Sequence, residues 1–117
     1  MKSLFASIVL SAAATLASPA MATDMPPLAK KDGCSGCHAI DHKVVGPAWQ
    51  DVANKYKGAK SYSFGGKDYP LVEGLMMKVS KGGSGNWGTV PMIANDPAGK
   101  KAAEMKELVE FVLGLAQ

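Results

Sequence analysis

Cys34-Ser35-Gly36-Cys37-His38 constrains this chain more than any other feature in it. Two thiols three residues apart share one turn of chain, and an imidazole follows the second directly. Four chemistries use paired cysteines at such a spacing. A thioredoxin-like dithiol needs a strand before the motif and a βαβ setting, and no such pattern surrounds it here. Zinc could draw on Cys34, Cys37, His38 and His42. Neighbours such as Cys37 and His38 rarely reach one tetrahedral ion together, however, and the closing pair normally comes from a distant segment. A disulfide would enclose only Ser35 and Gly36 and contribute little loop-closure entropy. The fourth chemistry is covalent attachment of haem c. Each thiol adds across a vinyl group of the porphyrin, and the adjacent imidazole takes the iron from one side.

An iron that passes electrons without binding small molecules needs a sixth ligand, usually methionine or histidine. His42 lies too close to His38 for the chain between them to round the ring, so it reads as an exposed polar residue. Met76, Met77 and Met105 fall within expected helices, where core packing is the default. Met92 differs. It follows Pro91 in the loop 88–95, some 54 residues after His38, and such a loop can wrap round the cofactor and present a thioether from the far side. His38 and Met92 are therefore the expected axial pair.

Residues 1–22 have the build of a cleaved secretory signal peptide, with Lys2, an apolar centre from Leu4 to Leu16, and small residues at Ala20 and Ala22. The apolar run is broken by Ser11, Thr15, Ser18 and Pro19 and falls short of the ~20 residues that span a bilayer, so no membrane insertion is expected. That leaves 23–117 as one small exported domain. A core of this size is marginal without a staple, and a buried macrocycle supplies the missing apolar surface at roughly 25 cal/mol per Å². All 13 basic residues are lysines. With Lys2 in the leader, 12 of them face 10 acidic residues. A surface so mildly basic, without a block of like charge, gives no footprint for nucleic acid.

Periodicity points to an all-α domain. Asp24 can cap a short first helix running toward Lys31. Pro47 opens a second, with Trp49, Val52, Ala53 and Tyr56 at helical spacing and Gly58 as its stop. Pro70 opens a third carrying Leu71, Leu75 and Val79 on one face. Asn95 or Asp96 can cap the last, with Pro97 in its first turn and an apolar stripe from Met105 to Leu115. Residues 61–69, where Tyr62, Phe64 and Tyr69 alternate with polar residues, fit either a loop or a small hairpin.

Three ordered motifs, Gly33 to Asp41, Val45 to Ala48, and Gly85 to Gly88 followed by Pro91-Met92, resemble the small bacterial class I cytochromes c of the c-551 and c-552 type. The likeness runs over nearly all of 23–117, although 61–69 looks longer than in the shortest members. It implies about four to five helices wrapped around one low-spin haem. It also implies a periplasmic electron carrier and not an enzyme: a monomer that meets its respiratory donor and acceptor in transient complexes through an apolar patch rimmed by lysines such as Lys43. By the same resemblance Pro47 supplies a carbonyl to the ring N–H of His38, Trp87 donates to a haem propionate, and Asn95 lies near the methionine sulfur. Packing by Trp87 and helix capping by Asn95 are the plainer alternatives.

Overall fold

The computed structural model describes residues 13–14 and 23–117. The signal peptide expected over 1–22 thus lies, apart from Ala13 and Ala14, outside the described residues. Helix α1 (Pro27–Lys31) begins two residues later than an Asp24 cap would place it. Pro26 is its N-cap residue and Pro27, whose missing N–H would be unpaired there anyway, takes the first position. A single 3-10 turn over Cys34–Gly36 follows. Helix α2 (Trp49–Tyr56) starts just after Pro47, and α3 (Leu71–Lys81) starts directly after Pro70, both close to the positions read from the prolines.

Between them, residues 61–69 take the hairpin alternative. Strands β1 (Ser61–Phe64) and β2 (Lys67–Pro70) pair antiparallel with Tyr62 opposite Tyr69. Gly65 and Gly66 both adopt positive φ, +60° and +78°, which a two-residue turn matched to strand twist requires. Helix α3 can lie close against β1 because Gly74 has no side chain: a Cβ there would come within 2.7 Å of Tyr62 Cβ.

A second hairpin, β3 (Gly83–Gly85) and β4 (Gly88–Met92), carries the loop expected to present Met92. The architecture is thus helical with two small two-stranded sheets added. The strands of the second hairpin escape a sequence reading because they are short and mostly exposed, so no alternation of buried and exposed side chains marks them.

The last helix, α4 (Ala102–Leu113), begins later than an Asn95 or Asp96 cap would allow. Asp96 is buried, and its carboxylate accepts the backbone N–H of Lys100 at 2.9 Å and of Lys101 at 2.8 Å. It therefore caps a turn rather than the helix, and Gly99 at φ +70° keeps that turn from becoming helical. Helix α4 runs the length of the core. It buries Met105 and Leu108 with Ala29 and Trp49 in one cluster, and Val109 with Tyr62 and Leu75 in another. Met105 is wholly buried, as a core methionine should be. Crossed ion pairs, Lys31 to Glu104 at 3.3 Å and Lys101 to Asp32 at 3.4 Å, join α1 to α4.

Candidate functional site

The attachment segment is built from local hydrogen bonds. The 3-10 turn closes when the N–H groups of Cys37 and His38 both donate to Cys34 O, at 3.1 and 2.9 Å. Gly46 N–H then donates to Cys37 O at 2.7 Å, folding residues 43–46 back over the motif. Both cysteines are partly buried, and neither is in a disulfide. Burial pushes the Cys34 thiol up, and the nearby Asp32 carboxylate adds to the effect. The backbone hydrogen bond at Cys34 acts the other way.

His38 is oriented on two sides. Its Nδ1 lies 2.7 Å from Pro47 O. A carbonyl can only accept, so Nδ1 carries the proton and Nε2 keeps its lone pair for a metal. On the other side the ring lies against Gly46, where a Cβ would stand 2.5 Å from Cε1. The indole of buried Trp49 is 6.0 Å from the imidazole, centre to centre, and packs edge-on to Phe111 at 5.9 Å.

These residues form one wall of a cavity of about 300 Å³. Its floor is apolar, with Leu75 and Val79 from α3 and Leu108, Val109 and Val112 from α4. Trp87, Val90, Pro91, Met92 and Asn95 from the second hairpin and its exit line it too. Every residue singled out from sequence, Cys34, Cys37, His38, Pro47, Trp87, Met92 and Asn95, borders this one space. The Asn95 amide donates to Val79 O at 3.1 Å and to Ile93 O at 3.4 Å. It caps no helix. Exposed His42 is paired with Asp41 at 2.7 Å and does not border the cavity.

The sequence reading missed Gly46 and Trp49 as supports of the imidazole. It also missed Tyr56, Tyr62 and Lys78 as lining residues. Tyr62 is delivered by the first hairpin and packs edge-on to Tyr56 at 5.3 Å, and burial pushes both phenols up. Lys78 was legible in principle: three residues after Leu75 and beside Val79, it borders the stripe of α3 that turns inward. Burial lowers its pKa, and its amine donates to Gly83 O at 2.6 Å.

Comparison with known proteins decides which cofactor such a cavity serves. The cytochrome c family model matches residues 22–116. The chain belongs to the cytochrome c family. Cytochrome c-551 of Allochromatium vinosum is 46% identical to it over 88 residues, spanning 75% of this chain and 82% of that protein. Cytochrome c-552 of Hydrogenobacter thermophilus is 43% identical, over 75% and 78% of the two. The crystal structure of Nitrosomonas europaea cytochrome c552 superposes with a TM-score of 0.62 at 36% identity, covering 75% of this chain and 95% of that one.

This cytochrome therefore has the class I fold and binds one haem c covalently, as a member of a family of mono-haem electron carriers. The cavity fits that group. It offers two unpaired cysteines on one turn, an imidazole with a free Nε2, a thioether, an apolar floor, and a lysine able to meet a carboxylate. Among the described residues, no helix is long and apolar enough to cross a membrane.

Proposed function

We propose that this cytochrome is an exported electron carrier of the periplasm, not an enzyme, that shuttles single electrons between respiratory redox proteins. Residues 1–22 direct export and are removed after Ala22, leaving 23–117 as the working domain. Cys34 and Cys37 form the two thioether links, and His38 and Met92 are the axial ligands. Bound there, the haem supplies a one-electron iron couple. The observation that carries this reading is the convergence on one cavity of His38, fixed through Pro47 with Nε2 free, and Met92 from a segment far along the chain.

The remaining roles belong to the chain. The Pro47 carbonyl holds the imidazole in one tautomer and one orientation. Trp87 and Lys78, which both border the cavity, would meet the cofactor's carboxylates. Asn95, tied to Val79 and Ile93, sits close in sequence to Met92 and steadies its neighbourhood. A soft, neutral thioether favours the reduced metal and raises the potential. Since the same two side chains serve both oxidation states, little has to move when an electron does.

Val45, Trp87, Val90 and Ile93 are exposed around the cavity, and Lys43 lies beside them. A partner that docks there meets an apolar centre and a cationic rim, suited to short-lived complexes of a monomer with acidic redox proteins. The test of the axial pair is Met92→Ala. Its reduction potential should fall by on the order of 0.1 V, within the ~0.8 V that axial ligands span across haem proteins, and the reduced protein should bind carbon monoxide. An unchanged potential with no carbon monoxide binding would remove Met92 from the iron.

A further inference from the structure

The β3–β4 hairpin is tied to the rest of the molecule at its two ends by different means. At its base, the backbone N–H groups of Asn95 and Asp96 donate to the Val79 and Ser80 carbonyls, each at 3.1 Å. The Asn95 amide and the Lys78 amine add bonds to Val79 O and Gly83 O. At its tip, the turn Asn86-Trp87, the tie comes from Lys55 on α2. The Lys55 ammonium donates to Asn86 O at 2.9 Å and stands 4.3 Å from the centre of the Trp87 ring. It is also 5.5 Å from the ring of Tyr56, so the cation lies between two aromatic faces.

The hairpin between these ties has little to hold its shape. Its register shifts between Gly83 and Gly85, and Gly82, Gly83, Gly85 and Gly88 all adopt positive φ. Residues 83–91 are exposed, and Trp87 retains 41% of its accessible surface. Met92 is the last residue of β4. Only residues 88–91 separate the turn from the methionine along the strand.

We propose that Lys55 is a positioning residue for Met92: by fastening the tip of the hairpin to α2, it lowers the frequency with which the methionine leaves the iron. The proposal rests on Met92 being the axial ligand. One ammonium group does two jobs. It donates to a carbonyl, and it places positive charge on the negative face of an indole. A neutral side chain of the same length can do neither, whereas arginine can do both.

The measurement is the rate at which imidazole binds the oxidised holoprotein, because the incoming ligand enters only when the methionine is off. Lys55→Met should bind imidazole about fivefold faster, which at about 1.4 kcal/mol per decade corresponds to about 1 kcal/mol. Lys55→Arg should stay within about twofold of the parent, since it restores both contacts. Lys57→Met removes the same charge from an exposed position with no side-chain bond to the hairpin, and should leave the rate unchanged. Lys55 is exposed on α2, so its variants keep the core intact, which their haem content and the red absorption band of thioether-bound ferric haem verify.

Equal rates in Lys55→Met and Lys57→Met, whether both unchanged or both raised, would overturn the proposal. A Met92→Ala protein that binds imidazole no faster than the parent would show instead that the ligand assignment beneath it had failed.

Discussion

On the attachment wall, both thiols and the imidazole fall within five consecutive residues. The histidine is held there by Pro47 O at 2.7 Å, by close packing on Gly46, and by Trp49. On the facing segment, Met92 hangs at the end of an exposed, glycine-rich hairpin whose ties come from α3 at the base and from Lys55 at the tip. In the proposed assignment one wall is covalent and locally determined, and the other is a single soft bond held by tertiary contacts. Loss of order should therefore begin at the methionine, while the histidine and the thioethers stay in place.

The harshest way to break this comparison is to remove the covalent wall. In a Cys34→Ala, Cys37→Ala protein without cofactor, an apolar cavity of about 300 Å³ stays unfilled. Water then reaches the apolar floor that the cofactor would cover, in a domain whose whole stability is only ~5–15 kcal/mol. Circular dichroism should show no cooperative thermal transition. A sharp native-like melt would mean that the haem does not complete the core.

Two glycines sharpen the contrast between the walls. A Cβ on Gly46 would press on the His38 ring, a side chain that can shift by tenths of an ångström, so Gly46→Ala should cost about 1–2 kcal/mol. A Cβ on Gly82 would collide with the Met92 carbonyl and stand 2.9 Å from Ile93 C, both backbone atoms, at φ +71°. Gly82→Ala should therefore cost about 3 kcal/mol or more. It should also abolish the thioether–iron absorption band well below the temperature of global unfolding. Equal losses, or a band that survives to the melt in Gly82→Ala, would erase the asymmetry.

A smaller effect is expected where the methionine segment hands over to α4. Asp96→Ala removes the acceptor of the Lys100 and Lys101 N–H groups and should lower stability by about 1–2 kcal/mol in thermal melts. Haem content should be unaffected, because the attachment wall is not involved.

The same contrast explains what could be read from the sequence. Cys34, Cys37 and His38 stand out as the candidate attachment site because thioether chemistry needs those atoms adjacent along the chain, and α2 and α3 were legible because proline and the apolar period mark them. Met92 stands out as the candidate sixth ligand by its proline-marked loop and its distance from His38, once the helical methionines are set aside. The hairpin that carries it was not legible, since β3 and β4 pair through backbone groups and show no side-chain pattern. The start of α4 was misplaced because Asp96 has the same short carboxylate whether it caps a helix or a turn. Lys55 carries no signal in one dimension. The role proposed for it depends on Asn86 and Trp87 arriving beside it through tertiary folding.

The most direct test of the central claim is the intact mass of protein purified from a host that matures such cytochromes, taken together with the visible spectrum of its reduced form. The account predicts a polypeptide beginning at Thr23, heavier by one haem, with the spectrum of a low-spin haem c ligated by histidine and methionine. Colourless protein at the mass of the polypeptide alone would contradict it.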